Sequence, residues 1–390
     1  MPFFEIIKRS KKSKARTGIL HTPHGDVLTP AFVPVATKGT LKTIPPKDLK
    51  DIGTQIAFVN TFHLTLHPGV DVIKQLGGIH KYATLSIPLM SDSAGFQVFS
   101  LGRRSPERSA GRRRLMQTPD DKEPLLLKIT DDGVLFRSPR DGKELLFTPE
   151  ISMQNQEKIG ADILMAFDEC ISSGVDYEYA KQATQRTHDW LVRCIATKGN
   201  PSTRSVRSGL QQFLYGIVQG GVFKDLRVQS AQFVAKQAID GIAIGGVAVG
   251  ETKKEMQEQV GWVAPYLPKE LPRHLLGIGR IEDIQKFAQL GIDTFDCVEP
   301  TRLARNGIVF QRQRNSVLRI DLLKAKYLKD KHAIQPSCLC YTCQNFSLSF
   351  LHHSYKEKEL LGYYLATYHN LFFFEQFFQQ LRQNIAQDRL

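Results

Sequence analysis

Residues 162–170 read DILMAFDEC. An apolar run, Ile163 to Phe167, ends on a carboxylate, Asp168, and a run of this length and type reads as a buried strand. Outward from it, a segment of helical spacing covers Tyr177 to Ala196, and a second apolar run, LYGIVQGG, follows at 214–221. The alternation continues: a helix-like stretch from Phe223 to Ile239, GIAIGGVAVGE at 241–251, a helix-like stretch from Lys253 to Ala264, HLLGIG at 274–279, another from Ile281 to Leu290, and TFDCV at 294–298. Upstream, QIAFVNT at 55–61 and IPLMSDS at 87–93 belong to the same series. Strand, helix, strand, repeated, predicts a parallel sheet with right-handed crossovers. The number of repeats between Gln55 and Arg302 predicts a closed (β/α)8 TIM barrel rather than an open doubly wound sheet.

Three of these runs end on an aspartate: Asp92, Asp168 and Asp296. A buried carboxylate is costly, and barrel enzymes keep their chemistry at the carboxyl ends of the strands. Any one of the three has an ordinary alternative as a helix cap or turn residue. Together they point to an enzyme. Two carboxylates flanking one sugar carbon can perform glycosidic chemistry, one attacking C1′ and the other handling protons. A third can instead accept N–H bonds from a purine-like base. The loops GIVQGG (216–221) and GGVAVGE (245–251) end two further strands, where glycine lets backbone groups approach a flat ligand. Gln219 offers a donor and an acceptor, and Phe96 and Leu276 could stack on a base from either side, core packing being the ordinary alternative for both.

Composition narrows the class. Hydrophobic residues make up 42% of 390, enough for a real core. No apolar stretch approaches the roughly 18 residues of a membrane span. The N-terminus places apolar residues before basic ones, the reverse of a secretory signal, so a cytoplasmic location is expected. The net charge of +13 suits a polyanionic partner, a plain basic surface being the alternative. Basic residues crowd at Lys8 to Arg16 and in GRRSPERSAGRRR, with Arg103, Arg104, Arg108, Arg112, Arg113 and Arg114. The stretch near 102–125 reads as an exposed insertion, and 126–148 as hairpins turning at Asp132-Gly133 and Asp141-Gly142.

Of six cysteines, Cys338, Cys340 and Cys343 fall within six residues, a spacing that points to metal in a reducing compartment. A tetrahedral structural Zn²⁺ needs a fourth ligand, and His352, His353 and His369 are candidates that spacing does not separate. The chain ends in a segment, LGYYLATYHNLFFFEQFFQQLRQNI, expected to form a long helix with an apolar face.

The chain resembles the tRNA-guanine transglycosylases, and the bacterial type in particular. The resemblance runs through ARTGIL, LTPAFVPVAT, NTFHL, SDSAGFQVFS, MAFDEC, GIVQGG, GGVAVGE, HLLGIG, FDCVEPTRLARNG, the cysteine cluster and FLHHSYKEKELLGYYLATYHN, in that order. It implies a (β/α)8 barrel with an inserted C-terminal zinc-binding subdomain, the barrel over 1–310 and the zinc region over 311–390. It implies exchange of the wobble guanine of a tRNA anticodon for a 7-deazaguanine base, with retention of configuration. Carried over by motif, Asp296 is the nucleophile and Asp92 the general acid/base. Asp168, Gln219 and the backbone of Gly246 bind the base edge, Phe96 stacks on it, and Arg302 and Arg305 contact the tRNA. Zn²⁺ is held by Cys338, Cys340, Cys343 and His369. A homodimer is expected from the same source, and the incoming base is 7-aminomethyl-7-deazaguanine or queuine, with Cys170 and Val249 favouring the smaller. The chain departs from the family pattern at Ala94, usually glycine, at Val247 and Leu276, usually leucine and often methionine, and at Glu299, usually apolar. Two other readings stand beside this one: a barrel N-glycosidase acting on nucleosides, and a non-catalytic tRNA-binding subunit. The first does not account for the cysteine cluster, and the second is expected to lack the paired aspartates.

Overall fold

The computed structural model describes residues 2–102, 125–198, 211–313 and 316–390. The arginine-rich segment, from Arg103 to Arg114 and on to 124, lies outside the described residues. The chain sorts into two compact units. One holds Met1–Phe58, Ala83–Leu89 and Pro272–Leu390, and the other Val59–Tyr82 and Met90–Leu271.

Strands β1 (Phe4–Arg9), β2 (Arg16–Thr22) and β3 (Gly25–Thr29) form an antiparallel sheet. Strands β4 (Ala31–Pro34), β5 (Ala57–Val59) and β6 (Leu89–Ser91) follow. A second antiparallel sheet is made by β7 (Leu126–Ile129), β8 (Val134–Arg137) and β9 (Glu144–Phe147), the hairpins that the Asp-Gly turns predict. Next come β10 (Ile163–Met165), β11 (Phe213–Val218), β12 (Gly241–Ile244), β13 (Arg273–Leu275) and β14 (Thr294–Cys297). A hairpin of β15 (Ile308–Arg312) and β16 (Val317–Asp321) completes the set among the described residues.

Eight strands share one sheet in the order β4-β14-β13-β12-β11-β10-β6-β5. Every strand lies beside its neighbours in the chain, and the first and last, β4 and β14, also pair in parallel. A parallel bridge between Val35 and Phe58 links the other side of β4 to β5. That cyclic order is the (β/α)8 barrel. Its middle strands are apolar: β10, β11 and β12 are buried at every position, as strands covered on both faces must be.

The crossover helices begin and end where their sequences signal it. Pro149–Ile159 is capped by Thr148, whose hydroxyl accepts from Ile151 N–H, and stops at Gly160 with φ of 80°. Lys253–Val263 opens on a capping box between Thr252 and Glu255. Helices also cover Tyr177–Lys198 and Ile281–Gln289. The helix expected from Phe223 to Ile239 is shorter, Lys224–Val234, because Lys236 and Gln237 donate to residues three back and tighten the exit.

In the first unit the long helix Leu360–Ala386 lays its aromatic face on the barrel strands that precede the site. Phe374 meets Phe32 at 4.8 Å between ring centroids, and Phe378 meets Phe295 at 6.0 Å. Side chains alternate along a strand, so anchoring Phe295 in this core turns Thr294 and Asp296 to the other face. Below them Arg16 clamps Asp293 with two hydrogen bonds of 2.8 and 2.6 Å, and both groups are buried. In the second unit Phe167, one residue before Asp168, stacks on Trp190 at 4.7 Å.

Candidate active site and metal centre

Within the second unit, Asp168 lies three residues past β10, almost wholly buried. Its Oδ2 accepts from Gln219 Nε2 at 2.7 Å and its Oδ1 from the Ser93 hydroxyl at 3.1 Å. Burial pushes the carboxyl up to about 6, against these two bonds, which pull it down. Gln219 follows β11 directly and is itself buried, and its Oε1 has no hydrogen-bond partner among the described residues. The backbone is pressed against this pair. A Cβ on Gly95 would lie 1.9 Å from Asp168 Oδ1, and one on Gly246 would lie 2.4 Å from Gln219 Oε1. These positions therefore require glycine for close approach, and Gly246 also has φ of 60°.

Arg227, on the helix Lys224–Val234, is fully buried and organises the two glycine loops. Its guanidinium donates to the carbonyls of Gly221 at 2.7 Å, Gly245 at 2.7 Å and Gly246 at 2.6 Å, and to Gln259 Oε1 at 3.1 Å. Burial lowers its pKa to about 10, so the guanidinium still carries its charge at neutral pH. The planar fork suits several fixed acceptors at once.

Asp92 follows β6 directly. Its carboxylate accepts from the backbone N–H of Thr61 at 2.7 Å and from Asn60 Nδ2, while Asn60 Oδ1 caps the next helix by accepting from His63 N–H at 2.9 Å. Two residues on, Ala94 is fully buried at φ of 75°, a left-handed conformation that favours glycine. Phe96 is 53% exposed, leaving a ring face open to a stacking partner.

Within the first unit, Asp296 lies in β14. Its Oδ1 accepts from Gly277 N–H at 2.8 Å and faces His274 Nε2 at 3.2 Å. Leu276, between these two partners, is partly buried. The helix Glu299–Arg305 follows and carries Arg302, exposed, and Arg305, half-buried, whose guanidinium donates to Thr301 C=O at 2.8 Å. Burial, then Arg302, lowers the pKa of Arg305; burial, then Arg305, Lys38 and Arg302, lowers that of Lys42. These cations crowd one another and repel. Glu299 pairs with Arg319 of β16.

Cys338, Cys340, Cys343 and His369 bring four ligand atoms within 4.8 Å of one another. His369 Nδ1 lies 3.9, 3.4 and 3.3 Å from the three sulfurs in turn. Its Nε2 donates to Phe310 C=O at 2.7 Å, which fixes the ring with Nδ1 towards the thiols. Three sulfurs and one imidazole form a set that could hold a metal ion, and it is compatible with zinc. Of the other candidates, His352 is buried with Nδ1 on Leu322 C=O, and His353 is exposed.

A family model described as queuine tRNA-ribosyltransferase matches residues 10–390. The chain belongs to the queuine tRNA-ribosyltransferase family. Relatives of that name include one from Herpetosiphon aurantiacus, 44% identical over 96% of this chain and 87% of its own. Another, from Natranaerobius thermophilus, is 40% identical over 99% of this chain and 95% of its own. A third, from Staphylococcus aureus (strain JH9), is 41% identical over 99% and 93%. This member of the queuine tRNA-ribosyltransferase family thus matches its relatives along nearly the whole chain.

Two residues of the family member's site escape a reading of sequence. His274 opens an apolar run, and only the register that sets it opposite Thr294 brings it to Asp296. Arg227 sits in a segment of ordinary helical polarity. No local signal marks either one.

Proposed function

We propose that the chain exchanges guanine at the wobble position of a tRNA anticodon for a 7-deazaguanine base, 7-aminomethyl-7-deazaguanine or queuine. A carboxylate oxygen of Asp296 attacks C1′ of the ribose, and the bond from C1′ to the base nitrogen breaks. The electron pair leaves with guanine, which takes a proton from Asp92. The incoming base then gives its nitrogen-bound proton to Asp92 and attacks C1′, expelling the carboxylate. Two displacements retain the configuration.

The observation that carries this reading is the polar edge of Asp168 and Gln219. One carboxyl pushed to about 6 and one buried amide oxygen without a partner among the described residues suit a ligand with adjacent N–H donors, which a guanine edge supplies. Gly246 brings its backbone to the same edge, and Phe96 stacks on the ring. Arg302 and Arg305 hold the nucleotides beside the base, which must leave its stack to react. Family membership over residues 10–390 supports the same assignment. Zn²⁺ bound by Cys338, Cys340, Cys343 and His369 would tie the C-terminal helices together and take no part in the reaction. In this reading residues 1–310 form the catalytic barrel and 311–390 the zinc region, and the protein works as a cytoplasmic homodimer. No helix among the described residues is long and apolar enough to cross a membrane.

The test loads labelled guanine into an unmodified tRNA transcript, adds each candidate base and follows release of label. Asp296→Ala is expected to abolish release while leaving tRNA binding within roughly threefold. Asp92→Asn is expected to slow release and leave a trapped tRNA adduct. Undiminished release in Asp296→Ala removes the nucleophile assignment.

A further inference from the structure

The two oxygens of Asp296 are not equivalent. Oδ1 takes both donors, Gly277 N–H at 2.8 Å and His274 Nε2 at 3.2 Å, and Oδ2 has no hydrogen-bond partner among the described residues. His274 is fully buried in β13, and its other nitrogen, Nδ1, lies 2.9 Å from the Thr294 hydroxyl. Phe58 covers the ring at 5.9 Å between centroids, with the planes 21° apart. A carboxylate only accepts, so the proton facing Asp296 must sit on Nε2. The imidazole is thus gripped at three places, two polar and one flat, and its N–H has a single direction.

We propose that His274 is a positioning residue that reserves Oδ2 of Asp296 for attack and favours its release from the sugar. This rests on the assignment of Asp296 as nucleophile. Attack forms the C1′–Oδ2 bond and breaks the bond from C1′ to the leaving base. In the resulting ester Oδ1 becomes a neutral carbonyl oxygen. When the incoming base attacks C1′, the C1′–Oδ2 bond breaks and its electron pair returns to the carboxylate. A donor at Oδ1 binds the charged carboxylate more strongly than the ester carbonyl. His274 therefore stabilises the free enzyme relative to the adduct and assists expulsion of Asp296 in the second displacement.

The experiment measures the fraction of enzyme trapped as covalent tRNA adduct, and kcat, in His274→Leu, His274→Gln and Asp296→Ala. In His274→Leu the ratio of adduct to free enzyme is expected to rise, and kcat to fall, by roughly 10- to 100-fold, the range for loss of a hydrogen bond to a charged group. His274→Gln, whose amide N–H can occupy the place of Nε2, is expected to return both to within about threefold of the parent. A merely structural role would lower activity without shifting the ratio. Should His274→Leu fail to fold, Thr294→Val takes its place: it keeps the shape, frees the ring to turn its N–H, and is expected to shift the ratio in the same direction by less. An unshifted ratio, or equal impairment of the Leu and Gln variants, overturns the role of His274. An adduct in Asp296→Ala overturns the nucleophile assignment and, with it, this role; an adduct-free Asp296→Ala beside an unshifted His274→Leu overturns the role of His274 alone.

Discussion

Gln219 donates to Asp168 across 2.7 Å, and both side chains are almost entirely withdrawn from solvent. The bond joins two groups that follow neighbouring strands of one sheet, β10 and β11. Burial outweighs this bond and brings the carboxyl's titration up into the range where enzymes work.

Asp168 keeps its proton in the folded chain up to about 6, against 3.8 for an ordinary aspartate carboxyl. A raised carboxyl pKa means that stability falls as pH rises from 3.8 through 6 and stays reduced above it. Asp168→Asn removes that penalty. The stability of the variant relative to the parent is expected to be greater at pH 8 than at pH 4, by on the order of 2–3 kcal/mol. Urea unfolding at the two pH values checks it; a gap independent of pH contradicts the assignment. In the parent, kcat/KM is expected to decline below about pH 6, where the carboxyl can no longer accept.

Arg227→Lys replaces a planar fork with a single ammonium that cannot reach three carbonyls and an amide. Buried carbonyls of Gly221, Gly245 and Gly246 lose donors. The expected cost is on the order of 2–4 kcal/mol in unfolding, with base affinity weakened as well because both glycine loops loosen. Equal stability of variant and parent would mean that the loops hold their shape without the guanidinium.

Ala94 occupies a left-handed backbone conformation with its methyl group buried. Ala94→Gly is expected to stabilise the fold by about 0.5–1 kcal/mol, strain relief exceeding the entropy that glycine adds to the unfolded chain. The denaturant midpoint reports it. A destabilised variant would show that the methyl's packing outweighs the strain.

Removal of metal by a chelator, or Cys340→Ser, is expected to lower the melting temperature by roughly 5–10 °C and to expose the helix Leu360–Ala386 to hydrogen exchange. Metal analysis of the parent is expected to give one zinc per chain. A chain that purifies without metal and melts unchanged in chelator excludes the role given to the cluster.

The barrel was legible in the sequence because most of its strands are short apolar runs, and helices such as Pro149–Ile159 and Lys253–Val263 carry their own caps. The alternation from Asp162 to Val298 needs no tertiary information. The ends of those runs were legible too, since a carboxylate after a buried strand stands out. What lies between strands was not. The bond from His274 to Asp296 depends on register between β13 and β14, and the reach of Arg227 depends on two loops brought to one helix. The strain at Ala94 shows only as a dihedral angle. Choosing His369 among three histidines needed either the family motif or the coordinates, because its ring meets the thiols across 26 to 31 residues of chain. Glu299 stood out near Asp296 as a departure; its partner, Arg319, lies on a hairpin that the sequence did not announce.

The pairing of Ala31 with Thr294 joins positions 263 residues apart (294 − 31). At a synthesis rate of about 5–20 residues per second, β4 leaves the ribosome roughly 13–50 s before its partner exists. One edge of that early strand, apolar along its whole length, must be shielded from neighbouring polypeptides for the interval. Closure of the ring at this seam therefore waits until about three quarters of the chain has been made.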